Sequence, residues 1–317
     1  MKNVNLLKSV FFAFLAISTF SCSDDDDAGA PQSNTIAAIA SRTPDLSILV
    51  QALDRAGLVA AVDGTTALTV FAPTNDAFED FLDDNGFANL EAVPVDVLRQ
   101  VLLNHVVAGG VQSSQLTTGY IETLATFEGA ENGNNLNMFV NTASGVTLNG
   151  VSDVLTANII ASNGVVHVVD AVIGLPTVVT FATADPNFSS LVTALTSEGQ
   201  PDFVSILSGE GPFTVFAPTN DAFADLTDEL AAIPLVPSTA QLTAVLQYHV
   251  VSGNILSSSL QNNQSVTTLQ GGTFTVGLTD GAKITDANAR VSNIIAVDVQ
   301  ANNGVIHVLD KVLLPEL

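Results

Sequence analysis

Apolar residues first recur along the chain at helical spacing. Leu46, Leu49, Val50 and Leu53 follow Thr43-Pro44-Asp45, and Asp185-Pro186-Asn187 introduces a second run of the same kind. A capping residue, a proline at the first helical position and an early acid open a helix, so one is predicted at each place, with Gly57 stopping the first. Ala67 to Pro73 reads as a strand ending at proline, after which Thr74-Asn75-Asp76 caps a helix that turns Ala77, Phe78, Phe81 and Leu82 inward. A third helix carries Leu98, Val101, Leu102 and His105 at positions i, i+3, i+4 and i+7, and Leu242, Val245, Leu246 and His249 repeat it. The period then changes. Leu136, Met138 and Val140 alternate with polar residues, and the alternation resumes at Val146 and Leu148. Asn163-Gly164 and Asn303-Gly304 mark hairpins, because both residue types tolerate the positive φ of a type I′ turn. Helices followed by strands predict an α+β fold.

The pattern occurs twice. Thr69-Val70-Phe71-Ala72-Pro73-Thr74-Asn75-Asp76-Ala77-Phe78 returns letter for letter from Thr214 to Phe223. Asn104-His105-Val106-Val107 is matched by Tyr248-His249-Val250-Val251, and Asn163-Gly164-Val165-Val166-His167-Val168-Val169-Asp170 by Asn303-Gly304-Val305-Ile306-His307-Val308-Leu309-Asp310. Three blocks in one order at nearly constant spacing mean a duplicated domain, with copy one over 35–175 and copy two over 176–317. The junction Ile173-Gly174-Leu175-Pro176-Thr177 is short enough that the copies should abut.

Composition narrows the function. The 317 residues are 47% hydrophobic and 13% charged, which suits two medium-sized cores. Eight basic residues against 32 acidic give a formal charge of −24. Such a surface repels phosphate backbones and anionic headgroups, so nucleic acid and direct electrostatic membrane binding are not expected. Cationic partners suit it better, although acidity also serves solubility alone. Residues 1–21 have the outline of a secretory signal, with Lys2 and Lys8 around the start and an apolar run from Val10 to Ile17. The lone cysteine, Cys22, excludes an internal disulfide. Its place after that run resembles the lipobox of bacterial lipoproteins, with Thr19 and Phe20 standing where leucine and a small residue are usual, so Cys22 is the expected lipid attachment. Residues 22–34 read as an acidic flexible tether, and Asp24 to Asp27 resemble the surface-export signal of Bacteroidetes-type lipoproteins. The expected location is the outer membrane, lipid-anchored and exposed at the cell surface.

The repeated Thr-Val-Phe-Ala-Pro-Thr-Asn-Asp-Ala-Phe, the mid-domain His-Val-Val and the closing Asn-Gly-Val-(Val/Ile)-His-Val-(Val/Leu)-Asp together resemble the fasciclin domain, over both copies. The resemblance implies two tandem fasciclin-like domains, each a twisted β-wedge with a helical side, and a role in adhesion rather than catalysis. Partners would be a cell-surface or matrix protein or a polysaccharide, reached through cells, matrix or biofilm polymer; a module binding glycan or polymer for uptake is the alternative. In animal members a Tyr-His motif is tied to receptor binding. Tyr248 and His249 match it in copy two, whereas Asn104 departs from it in copy one. The four histidines lie among aliphatic residues, which favours backbone-bonded core imidazoles over metal ligands. No cofactor, metal site or catalytic group is expected.

Overall fold

The computed structural model describes residues 33–127, 133–232 and 237–316, so the signal segment, Cys22 and most of the tether lie outside the described residues. Asn34 to Leu317 form one compact unit. Copy one opens with helices α1 (Ile36–Arg42), α2 (Ser47–Arg55) and α3 (Val59–Val62), then strand β1 (Leu68–Pro73) and helices α4 (Asn75–Asp84) and α5 (Val95–Asn104). Strands β2 (Val106–Ala108), β3 (Gly119–Thr126), β4 (Asn135–Asn141), β5 (Thr147–Leu148), β6 (Ser152–Ala161) and β7 (Gly164–Val169) follow. Copy two repeats the plan with α6 (Val178–Ala184), α7 (Ser189–Leu195), α8 (Phe203–Leu207), β8 (Phe213–Pro218), α9 (Asn220–Ala232) and α10 (Thr239–Tyr248). Its remaining strands are β9 (Val250–Ser252), β10 (Ser265–Thr267), β11 (Thr273–Gly277), β12 (Lys283–Thr285), β13 (Val291–Ala301) and β14 (Gly304–Leu309). The predicted α+β class and its duplication are what the structure shows.

Each copy builds a seven-stranded sheet, ordered β2-β1-β7-β6-β5-β4-β3 and β10-β11-β12-β13-β14-β8-β9. One pairing in each is parallel: β1 with β7, and β8 with β14, the first and last strands of the copy. Helices cover one side of this central pair, where Leu46, Leu49, Leu53, Leu98 and Leu102 join Val70 and Val166 in the larger core of copy one. The other side is sealed by the meander, with Phe71, Met138, Val140, Leu148, Val169 and Ile173.

Two asparagines organise the helical layer. Asn75 accepts from the amide of Ile48 (2.9 Å) and donates to the Pro44 carbonyl (3.1 Å), while Asn220 does the same with Ser190 and Pro186. Thr74, one residue earlier, is the cap, accepting from the Ala77 amide. Asn163 accepts from Ile36 and donates to the carbonyls of Val62 and Gly64; Asn303 likewise ties Val178, Leu207 and Gly209.

Three local expectations change. Helix α1 precedes Thr43, whose hydroxyl donates back to Ile39 rather than capping the next turn, whereas Asp185 does cap, through Asn187. Pro44 to Leu46 form a short 3₁₀ turn leading into α2. The hairpin before β7 exists, but its loop is Ser162-Asn163, since Ala161 pairs with Gly164, and Asn163 does not take positive φ. Its side chain is held as a hub, and Gly164 is needed for a different reason. A Cβ there would lie 1.9 Å from the Leu68 carbonyl oxygen, and one on Gly304 2.1 Å from that of Phe213. Backbone blocks side chain at both.

Gly164→Ala is therefore expected to destabilise copy one by more than about 3 kcal/mol, because rigid backbone must move. Gly86→Ala, with φ +70° but nothing within 4 Å, should cost only about 1 kcal/mol. Urea unfolding of the two variants checks the difference.

Candidate functional site

The histidines act in pairs as internal struts. His105 follows the last turn of α5; its Nδ1 donates to the Val101 carbonyl at 2.7 Å and its Nε2 accepts the Ile173 amide at 2.8 Å. His249 repeats this with Val245 (2.7 Å) and Leu313 (2.9 Å). A backbone amide can only donate, so each ring is neutral with its proton on Nδ1. Burial depresses both to a pKa of about 4, against the opposing pull of the carbonyl that accepts from the ring.

Tyr248 is also inside. Its hydroxyl donates to the Thr273 carbonyl (2.6 Å) and accepts the Ala287 amide (3.2 Å), and its ring meets Phe274 edge-on. Tyr248 and His249 are thus both buried, with their polar atoms occupied by backbone. Asn104, which stands at the tyrosine position in copy one, also turns inward and donates to the Ile173 and Gly174 carbonyls. Both residues fasten the α5 or α10 end to the sheet or to the chain leaving it.

The second histidine of each copy supports a surface feature. His167 Nδ1 accepts the Asn158 amide (3.3 Å) and Nε2 donates to Val111 (3.0 Å); His307 does so with Asp298 (3.4 Å) and Ile255 (2.8 Å). Asn158 and Asp298 lie in bulged stretches of β6 and β13, at φ of 64° and 60°. Their side chains clamp Ser113 and Ser257 on the neighbouring loop. Burial lowers the pKa of both rings, which keeps Nδ1 available as an acceptor.

Register shifts within these strands turn aliphatic side chains outward. Leu155 is 61% exposed and Ile295, its counterpart, 56%; Val151 and Val291 are also exposed at matched positions. Ile160 in copy one and Val297 in copy two are also exposed, at positions that the other copy does not match. Reasoning from sequence missed this row. Its signal was the adjacent pairs Val154-Leu155, Ile159-Ile160 and Ile294-Ile295, since a regular strand can bury only one member of each.

The copies meet through an aromatic cluster. Tyr120 of β3 packs against Phe139 of β4 (5.1 Å between ring centres) and edge-on to Phe181 of α6 (5.4 Å), and donates to Asp185 at 3.1 Å. Burial first, and then the Asp185 carboxylate, raise the Tyr120 pKa, so the hydroxyl stays a donor. Nearby, Asn137 accepts the Gln300 amide at 2.7 Å. A polar cleft of about 410 Å³ opens beside this contact, lined by Glu122, Asn135 and Asn137 from copy one and Ser258, Asp298 and Gln300 from copy two. Among the described residues no three His, Cys, Asp or Glu side chains are grouped to hold a metal ion.

The sequence profile of the fasciclin domain matches residues 44–176 and again 186–315. Human periostin is 32% identical over 268 residues, which cover 83% of this chain but 30% of periostin. A protein of the cyanobacterium Synechocystis is 43% identical over 142 residues, 44% of this chain and 74% of that one. Pig transforming growth factor-beta-induced protein ig-h3 is 28% identical over 258 residues, covering 80% of this chain and 36% of ig-h3. Among solved structures, a domain pair from the insect cell adhesion molecule fasciclin I aligns with a TM-score of 0.54 at 20% identity, covering 86% of this chain and 97% of that one. At that identity the likeness speaks for the fold.

The buried histidines set a pH dependence. An unfolded histidine titrates near 6.5, and in the folded state His105 and His249 do so at about 4, so between these values the unfolded chain binds more protons. Stability from each ring, about 3 kcal/mol, is present above pH 6.5 and is lost as pH falls to about 4. Urea midpoints measured from pH 7 to pH 4 should fall across that window. Replacing His249→Gln should lower the midpoint at pH 7 and flatten the slope for copy two.

Proposed function

Because the chain belongs to the fasciclin domain family, we propose that it is a lipid-anchored cell-surface adhesion protein, held by Cys22 and binding cells, matrix or a biofilm polymer. The observation that carries the reading is the duplicated row of exposed aliphatic residues, with Leu155 and Ile295 at its centre. Apolar side chains held outward at matched positions of two domains, on strands braced from behind by histidine, suit a surface that docks. Two such rows on one chain gain avidity without any new contact. The naming of fasciclin I as a cell adhesion molecule agrees with this role. Asp24 to Asp27, behind Cys22, favour the outward face of the outer membrane.

The polar cleft between the copies supports a second reading, a module that binds soluble glycan for uptake. Its amides and carboxylates match sugar hydroxyls in hydrogen-bonding capacity.

Leu155→Asp and Ile295→Asp each change an exposed side chain and should leave thermal unfolding unchanged while weakening cell attachment; the double variant should lose most of it. Cys22→Ala should release the folded protein from the membrane fraction. Attachment equal to wild type in the double variant, with saturable binding of a polysaccharide lost in Asn137→Ala, would favour the glycan reading instead.

A further inference from the structure

Copy two completes one corner of its fold with its own cations. Arg290 donates from one guanidinium nitrogen to the Val312 carbonyl (2.9 Å) and from another to Glu229 of α9 (2.7 Å), and Lys311 stands 3.8 Å from the same carboxylate. The counterparts in copy one follow from shared hydrogen bonds. Ser152 donates to the Ala171 carbonyl as Ser292 does to that of Lys311, and the amides of Ile173 and Leu313 reach equivalent histidines. Counting back from these serines, Gly150 matches Arg290, although the turn from Leu148 to Ser152 is four residues shorter than that from Ile284 to Ser292; Ala171 matches Lys311 and Val172 matches Val312. The identical Thr69–Phe78 and Thr214–Phe223 blocks, continued along the helix, place Asp84 where Glu229 stands. Arg290 also stands 3.9 Å from the buried Asp286 of its own turn; copy one keeps a counterpart of Glu229 but not of Asp286, and both cations are gone.

In copy one this corner is a crevice of about 510 Å³. Asp80 and Asp84 line it one turn apart on α4, and Phe81, Val97 and Val172 give it apolar walls. Among the described residues neither aspartate has an ion-pair partner. Asn149, only 3% exposed, also lines the crevice; its Oδ1 accepts the Phe139 amide, while its Nδ2 has no hydrogen-bond partner. A buried amide hydrogen without an acceptor is costly. The glycine that replaces the arginine has a local cause. At φ +70°, a Cβ on Gly150 would sit 3.3 Å from that of Ala184 in α6, so a side chain there would press α6 back by a few tenths of an ångström as well as straining the backbone.

We propose that the crevice receives an arginine side chain from a partner protein, bound as copy two binds its own Arg290. Asp84 and the Val172 carbonyl supply the acceptors that Glu229 and Val312 supply to Arg290. A guanidinium is suited to meeting a carboxylate and a carbonyl at once, because its donors are fixed in a plane. The walls accept its methylene stem, and a small turn of the Asn149 side chain, whose Nδ2 is fully buried, would let it donate to a backbone carbonyl of the same segment. A formal charge of −24 draws such a partner in. The crevice adjoins the aliphatic row at Val151, but the inference uses neither Leu155 nor Ile295 and is tested separately from adhesion through them.

The test is methyl NMR of the full chain titrated with N-acetyl-Gly-Arg-Gly-amide, and with the same peptide carrying citrulline, the neutral isostere of arginine. The Val97 and Val172 methyls should shift with a Kd on the order of 1 mM, at least about tenfold weaker for citrulline and weaker with added salt. Asp84→Asn, an exposed change, should weaken binding about tenfold or more, and Glu229→Gln should leave it unchanged. Equal response to citrulline, insensitivity to Asp84→Asn, or no shift at about 10 mM peptide would each overturn the proposal. Attachment lost in Leu155→Asp/Ile295→Asp but kept in Asp84→Asn would leave adhesion standing without it.

Discussion

Each domain closes by laying its last strand against its first, in parallel, and most other features are arranged around that pairing. A parallel neighbour cannot be reached through a tight turn, so nearly the whole copy lies between β1 and β7, and between β8 and β14. The entropy of so long a closure must be offset by contacts that exist only when the strands have met. They are present. Asn163 and Asn303 bind helix-side backbone from the turn that enters the last strand, and the glycine beside each lets carbonyl meet backbone without a side chain between. The amide just beyond the last strand then ends on the buried ring of His105 or His249.

Closure also fixes what the outside can do. His167 and His307 sit on the final strands, the first stacked on Phe71 and the second tilted against Phe216, and each accepts an amide from a bulge in the neighbouring strand. Without that support the extra residues of β6 and β13 would have no fixed direction. With it, Leu155 and Ile295 point away from the core on a rigid base. Polar core and apolar surface are two sides of one arrangement.

Much of the fold was legible in the sequence because it rests on local rules. Period, proline and cap residues located β1, α4 and α5, and histidines set among valines were rightly read as internal. Other features depend on tertiary contacts that no local rule contains. Thr43 caps nothing because its hydroxyl is already used by α1, and Asn163 forgoes a left-handed turn because its amide serves three backbone groups. Tyr248 and His249 drew notice as a motif, yet their polarity is directed at backbone. The aliphatic row was visible only as doubled apolar residues that a strand cannot bury together. The acid-lined crevice was less visible still, since it appears on comparing Gly150 with Arg290, outside the blocks that announce the repeat.

That comparison bears on how such domains can be strung together. Copy two docks on copy one by bringing Ala184 close to Gly150, and the matching position in copy two is filled by an arginine engaged with Glu229 and Val312. The surface on which α6 rests in copy one is thus replaced in copy two by a longer turn whose arginine, with Lys311, meets Glu229. The two copies therefore turn different surfaces outward at this corner, one shaped by a bare glycine turn against α6 and the other by a longer turn carrying a paired arginine.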